Sequence, residues 1–234
     1  MHVLFDLDGT LTDSKAGIAR CIQHALVELG VTCPGEEALT EYVGPPLAAA
    51  FSALLETADD AHVDRAIAAF RRRFERVGMF ENALYPGIAE AIAELADLGF
   101  RLCVVTAKPH VYARRILEHF DLADRFLGVY GPELADRAYS KEALIRQACV
   151  MEGDDPQQTV MVGDRVEDII GAKANGLRTV AVLWGYGSHA ELAKSQPEHL
   201  VRSSAELVTW LCGARVRRQK NVESAVIHDG EEQS

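Results

Sequence analysis

The stretch VLFDLDGT, residues 3–10, decides the fold. Its first five residues, VLFDL, are strand formers interrupted only by Asp6. Near-continuous apolar strands belong to sheets covered on both faces, as in parallel α/β folds. Comparable runs recur at 101–106 (RLCVVT), 126–130 (FLGVY), 159–163 (TVMVG) and 178–183 (RTVAVL). Helical patterns lie between most of them. Over 87–98, Ile88, Ile92 and Leu95 share one face, with Pro86 before and Gly99 after as start and stop signals. Residues 110–119, 141–151 and 166–175 read the same way. This alternation predicts an α/β protein with a Rossmann-like, doubly wound, mostly parallel sheet.

Residues 15–80 break the rhythm and contain no convincing strand. Ile18, Ile22, Leu26 and Leu29 form a helical stripe that stops at Gly30, and 47–55 and 60–77 also look helical. An all-helical block between the first strand and the second reads as an insertion. The expected organisation is an α/β core from 1–14 and 81–212, an inserted helical domain over 15–80, and a flexible tail over 213–234. Within the insertion, Arg71, Arg72 and Arg73 are consecutive. At about 100° per residue they cannot all face one ligand, so a solvated cluster is expected, with Arg71 the candidate for an anionic group. The turn at Gly44, Pro45 and Pro46 is a candidate specificity loop.

The chain has 234 residues, room for one large domain or two small ones. Its 24 Lys and Arg against 35 Asp and Glu give a formal charge of −11, which argues against nucleic acid or an anionic membrane as a partner. The N-terminus shows no secretory pattern and no apolar run approaches the ~20 residues that span a bilayer. The five cysteines, Cys21, Cys33, Cys103, Cys149 and Cys212, are scattered and form no CxxC pair. Buried free thiols and a cytoplasmic location are expected.

Four motifs fall just past predicted strands. In Asp6-Leu7-Asp8-Gly9-Thr10 the two carboxylates at i and i+2 point the same way, and Gly9 permits an unusual turn. Paired carboxylates suit a hard divalent cation, or a nucleophile beside a general acid; a solvated Asp-Gly turn is the plain alternative. Thr106 ends the second strand, where its hydroxyl could donate to an anionic oxygen or cap the next helix. Lys108, two residues on, is expected to be solvated. Lys141 opens a helical pattern, an unfavourable place for a cation unless it meets an anion there. Asp164 follows VMVG and Asp168 lies four residues on, one helical turn away once the helix has begun, so both could face one cation; the plain alternative is an N-cap at Asp164 with Asp168 favouring the helix dipole. In an open α/β sheet, ligands bind beyond the carboxyl ends of the strands, where all four motifs fall. Together they could hold Mg²⁺ and a phosphate side by side.

DLDGT, VVT, Lys141 and GDRVED resemble, in order and approximate spacing, the four motifs of the haloacid dehalogenase-like hydrolases. The resemblance covers 3–212, and the block at 15–80 is similar to that family's helical cap. VGPPL (43–47), YPGI (85–88) and LWGYGS (183–188) bring the chain close to the phosphoglycolate phosphatases and bacterial 5′-nucleotidase-like enzymes. The resemblance implies a phosphatase for a small phosphate ester, with Asp6 as nucleophile and Asp8 as acid and base. It implies Mg²⁺ held by the Asp6 carboxylate, the Asp8 backbone carbonyl and Asp164, with Asp168 supporting that shell. Thr106 and Lys141 would bind phosphoryl oxygens. Ala107 departs from the pattern, since many relatives carry Asn or Ser there. A sugar phosphomutase shares all four motifs, and a non-catalytic interaction protein on the same fold is the remaining alternative.

Overall fold

A computed structural model describes residues 1–36 and 38–216. Strand β1 (His2–Phe5) leads through a tight turn to β2 (Thr12–Asp13), and then the helices α1 (Lys15–Glu28), α2 (Leu47–Leu54) and α3 (Asp60–Arg76) follow. The chain returns through β3 (Ala83–Leu84), which pairs antiparallel with β2. This two-stranded neck was not expected from the sequence, because neither strand exceeds two residues. Gly17 and Gly78 meet there, and a Cβ on Gly17 would lie 2.2 Å from the Gly78 carbonyl oxygen. Only glycine lets α1 pass so close to the end of the helical segment.

The rest of the core alternates as the pattern predicted. It runs α4 (Ile88–Asp97), β4 (Arg101–Val105), α5 (His110–His119), β5 (Gly128–Tyr130), α6 (Lys141–Glu152), β6 (Thr159–Gly163), α7 (Val166–Ala174) and β7 (Arg178–Val182). Beyond the expected elements come α8 (His189–Lys194), the edge strand β8 (His199–Val201) and a helix over 204–216. Among the described residues the main sheet has six strands in the order β5-β4-β1-β6-β7-β8, every pair parallel. This is the doubly wound Rossmann-like arrangement. Strand β1 sits between β4 and β6, with Val3 level with Leu102 on one side and Val160 on the other. The first residues of the chain are thus placed between segments 99 and 157 positions away.

Both faces of the sheet are buried, which is why its strands read as apolar runs. Val3, Phe5, Val104 and Val162 join the larger core with Ile92, Leu95 and Ile116. Leu4, Cys103, Val105 and Met161 point the other way, onto Leu144, Ile145 and Ala172. The predicted stripe of α1 is buried at Ile18, Ile22 and Leu26 and half-buried at Leu29. Helix α3 buries Val63, Ala66, Ile67, Phe70 and Phe74, one continuous face, and Asp59 caps its start by accepting from the Ala61 N–H at 3.1 Å.

All five cysteines are free, but only Cys21 and Cys103 are buried; Cys33, Cys149 and Cys212 are half-buried. The segment expected as a tail begins inside the helix over 204–216. There Ala214 is buried and Arg215 donates to the Leu98 carbonyl at 2.7 Å. Residues 217–234 of that segment lie outside the described residues. No helix among the described residues is long and apolar enough to cross a membrane.

Candidate active site

The i, i+2 alternation of a strand explains the first motif. Leu7 is fully buried, so Asp6 and Asp8 project the opposite way at the carboxyl end of β1. The Asp6 N–H still donates to the Val162 carbonyl at 2.9 Å, as a last rung of the sheet. Gly9 then turns the chain with φ of 87°, and its N–H donates to the Thr12 carbonyl at 2.8 Å. Asp164 leaves the end of β6 next door. Asp168 sits in the first turn of α7, where its Oδ2 accepts from the Arg165 N–H at 3.0 Å. Lys141 is the first residue of α6.

These residues meet. Oxygens of Asp6, Asp164 and Asp168 all lie within 4.8 Å of one another, and all three residues are buried. Lys141 Nζ donates to Asp6 Oδ1 at 2.8 Å and to the Val105 carbonyl at 2.8 Å, and lies 2.7 Å from Asp168 Oδ1. The cation at the start of α6 therefore has its anions. Asp168 holds that lysine directly. Asp164 Oδ1 accepts from Thr10 Oγ1 at 3.0 Å and its Oδ2 from the Tyr186 N–H at 2.8 Å. Asp8 does not join this carboxylate group; its Oδ2 lies 2.8 Å from Lys108 Nζ.

Burial dominates the electrostatics. It pushes the Asp6 carboxyl above the usual range; Lys141 pulls it back down, while Asp168 and Asp8 push it further up. Burial raises Asp164 as well, and the charges of Asp6 and Asp168 add to the rise. For Lys141 burial would lower the value, but Asp168 and Asp6 outweigh it and hold the ammonium above the ordinary lysine range. Three carboxylates and one ammonium leave negative charge uncompensated in a buried space, which is costly. An all-oxygen donor set with excess negative charge fits a hard divalent cation. The backbone leaves space for nothing larger than glycine around it. A Cβ on Gly9 would lie 2.2 Å from Asp164 Oδ2, one on Gly163 2.3 Å from Asp168 Cγ, and one on Gly185 2.3 Å from Asp164 Cβ.

Thr106 is buried at the end of β4, where its Oγ1 accepts from the Lys108 N–H at 3.2 Å. Lys108 itself overturns the expectation of a solvated side chain. It is only 8% exposed, paired with Asp8, and its Nζ lies 4.8 Å from the centre of the Phe74 ring. The loop after β7 is also part of the site. Trp184 Nε1 donates to the Thr10 carbonyl at 3.0 Å, and the Tyr186 hydroxyl accepts from the Ser14 N–H at 2.9 Å. LWGYGS stood out in the sequence only by family likeness; nothing local shows that its backbone would brace Asp164.

Above the acids opens a cavity of about 660 Å³. Its floor includes Asp6, Asp8, Thr106, Lys108, Lys141 and Asp168. Its other walls include Tyr42, Gly44, Pro45, Ile67, Phe70 and Arg71 from the helical segment, and Tyr112 from α5. Asp164, fully buried, lies beneath the floor. Phe70 stacks on Phe74 with centroids 5.4 Å apart, and Phe74 meets Tyr112 edge-on at 5.2 Å, a rigid aromatic wall. Of the arginine run only Arg72 is exposed as expected, while Arg71 and Arg73 are half-buried. Arg72 pairs with Glu28, and Arg73 with Glu81 at 2.6 Å and Cys21 Sγ at 3.2 Å. Arg71 is the one of the three that lines the cavity; its Nη2 donates to the Leu134 carbonyl at 2.5 Å, and its Nε is buried without a partner.

A buried carboxylate cluster with an adjoining ammonium lies at the carboxyl ends of a doubly wound sheet, where open α/β folds bind their ligands, and beneath an inserted helical segment. The chain belongs to the haloacid dehalogenase-like hydrolases, whose family profile matches residues 3–182. A 5′-nucleotidase of Pseudomonas aeruginosa is 40% identical over 206 residues, covering 88% of this chain and 93% of that protein. Tyrosine-protein kinase PtkA of Mycobacterium tuberculosis is 40% identical over 187 residues, covering 79% of this chain but 62% of that protein. The crystal structure of a predicted phosphatase from Clostridium acetobutylicum has a TM-score of 0.83 at 38% identity, over 91% of this chain and 98% of that one.

Proposed function

We propose that the protein is a Mg²⁺-dependent phosphatase that cleaves a small phosphate monoester through an aspartyl-phosphate on Asp6. The observation that carries this reading is the buried meeting of Asp6, Asp164 and Asp168 with Lys141. Asp6 and Asp164, with the Asp8 backbone carbonyl, would hold Mg²⁺, which when bound neutralises charge on the transferring phosphoryl group. Asp168 keeps Lys141 in place. Lys141 and Thr106 bind phosphoryl oxygens and offset the repulsion between the Asp6 carboxylate and a phosphate dianion. Asp6 attacks phosphorus as the ester bond breaks, and Asp8 gives a proton to the departing oxygen. Asp8 then takes a proton from the water that attacks the aspartyl-phosphate. Residues 15–80 act as a cap that excludes bulk water, on a core of 1–14 and 81–212.

The substrate reading favours a nucleoside monophosphate. A cavity of about 660 Å³ walled by Phe70, Phe74 and Tyr112 suits a ribose and a flat ring, and a two-carbon phosphoglycolate would leave most of it empty. The relative named 5′-nucleotidase supports the same choice. Gly44 and Pro45 form one wall, and Arg71 offers a donor to the distal part of the substrate.

Purified protein should be assayed for phosphate release from nucleoside monophosphates, phosphoglycolate and sugar phosphates, with Mg²⁺ and with EDTA. Release from nucleotides with Mg²⁺, silenced by EDTA and restored by added Mg²⁺, is the expected result. Full activity in metal-free buffer, or isomerisation of a sugar phosphate without phosphate release, would overturn the reading.

A further inference from the structure

Lys108 is a buried cation to which the phosphatase reading gives no task. It follows β4 by three residues, and its backbone N–H is fixed by Thr106 Oγ1 at 3.2 Å. Its ammonium lies 2.8 Å from Asp8 Oδ2, with the two side chains 6% and 16% exposed. On its other side is the face of Phe74, 4.8 Å away, on helix α3 of the inserted segment. A lysine beside an open cavity could extend into water, as long flexible side chains do. This one is held between a carboxylate and a ring. Stability alone is a poor reason for such a pair, because a buried ion pair rarely outdoes an apolar one of similar volume.

The other oxygen of the same carboxylate supplies a second observation. Asp8 Oδ1 is buried and has no hydrogen-bond partner. Asp8 and Lys108 both line the cavity that holds Asp6. One carboxylate oxygen is therefore anchored and the other is left for a ligand atom. A carboxylate that must meet a proton acceptor within hydrogen-bond distance gains from having its rotation about χ2 fixed in advance.

We propose that Lys108 is the positioning residue for Asp8: its ammonium holds Oδ2, so that Oδ1 is the oxygen that exchanges protons with the reacting groups. This rests on the reading of Asp8 as acid and base. In the first step the bond between phosphorus and the leaving oxygen breaks, the bond from Asp6 to phosphorus forms, and the proton on Asp8 Oδ1 passes to the leaving oxygen. In the second step water adds to phosphorus, the bond from Asp6 breaks, and a proton from that water returns to Oδ1. Lys108 neither gains nor loses a proton in either step. Phe74 backs the ammonium from the helical segment, so both parts of the chain fix the acid.

The test uses a series of ring-substituted phenyl phosphates whose leaving groups differ in acidity but hardly in size. The ratio kcat/KM reads only the steps through leaving-group departure, so it isolates proton donation. In Lys108→Met, which keeps the stem and removes the charge, log kcat/KM should fall more steeply with leaving-group pKa than in the wild type. The loss should reach about tenfold for phenol itself, a fraction of what a general acid supplies, and stay within about twofold for nitrophenol. Asp8→Asn should be steeper still, and Lys108→Gln, which keeps a donor, should fall between. Melting temperatures of the variants confirm folding. A Lys108→Met line parallel to the wild type, with Asp8→Asn steep, overturns the positioning role and leaves Asp8 as the acid. An Asp8→Asn line parallel to the wild type overturns the acid assignment itself.

Discussion

The floor and the roof of the cavity are built on opposite principles. The floor is polar, buried and almost fully bonded. Asp164 has both oxygens engaged, Asp168 has both engaged, and Lys141 contacts three oxygens. The part of the roof from the helical segment is mostly apolar, with Phe70, Ile67, Tyr42 and Pro45 on its surface beside Asp64 and Arg71, whose Nε is a buried donor without a partner. On the proposed reading, a floor whose groups are bonded, save Asp8 Oδ1, fixes the geometry of one reaction. On the same reading, a roof set more by shape than by polar contacts selects what enters. The same family can therefore keep its chemistry and change its substrate, because the two tasks lie on separate stretches of chain.

The largest expected difference between the two regions is in turnover. Asp6→Asn should lower kcat by about 10³-fold or more, because a covalent nucleophile has no substitute in the site. Folding should survive. Burial raises Asp6 above the ordinary carboxylate range, so its charge is a cost in the metal-free protein. The melting temperature of Asp6→Asn in EDTA should not fall below the wild type. Turnover within tenfold of wild type would break the distinction at its strongest point.

Metal linkage comes next. Mg²⁺ at about 100 times its Kd should stabilise the folded chain by about 2.7 kcal/mol, read as a rise in melting temperature. Asp164→Asn should lose that response, while Arg71→Ala should keep it. The sign of the pH effect follows from the raised pKa of Asp164. Between its unfolded and folded values the folded chain binds more protons, so metal-free stability falls as pH rises through that window. Asp164→Asn should flatten the fall. An unchanged Mg²⁺ response in this variant would remove Asp164 from the metal site.

Glycines sharpen the contrast at smaller scale. A Cβ at Gly185 would lie 2.3 Å from Asp164 Cβ and 2.3 Å from the Gly9 carbonyl oxygen, so Gly185→Ala must displace the floor. It should cost about 1–3 kcal/mol by chemical denaturation and also reduce kcat. Gly44, on the roof, has φ of 112° and no atom within 4 Å of the added Cβ. Gly44→Ala should cost about 1 kcal/mol through backbone strain alone and leave kcat near wild type. Equal losses of kcat in the two variants would erase the difference.

The sequence made the floor far more legible than the roof, for a physical reason. A strand projects i and i+2 together, so Asp6 and Asp8 declare a shared direction within three residues, and Asp164 and Asp168 stand four apart at the end of β6 and in the first turn of α7. The core strands were legible because burial on both faces leaves an apolar run. β8 was not, since His199-Leu200-Val201 is three residues long between polar neighbours. Lys108 was missed because its burial depends on Asp8 and Phe74, which no local pattern around VTAKP reveals. The arginine run shows the same limit. Helical geometry excludes a common target for Arg71, Arg72 and Arg73, but only the placement of Glu28, Glu81 and Leu134 assigns each one.

Arg71 gives the smallest and most selective expectation. Its Nη2 is spent on the Leu134 carbonyl, which fixes the guanidinium against the loop between β5 and α6. Its Nε then remains as a buried donor beside the aromatic wall. A ligand acceptor there would add one hydrogen bond, worth about 1 kcal/mol. Arg71→Ala should therefore raise KM for the preferred nucleoside monophosphate about fivefold, with kcat within a factor of two. For p-nitrophenyl phosphate, which lacks a distal acceptor, neither constant should move by more than about twofold. Steady-state kinetics on the two substrates decides the matter. A matching rise in KM for both would place Arg71 at the phosphate and merge roof with floor. A fall in kcat alone would mean that it acts on the chemistry and not on selection.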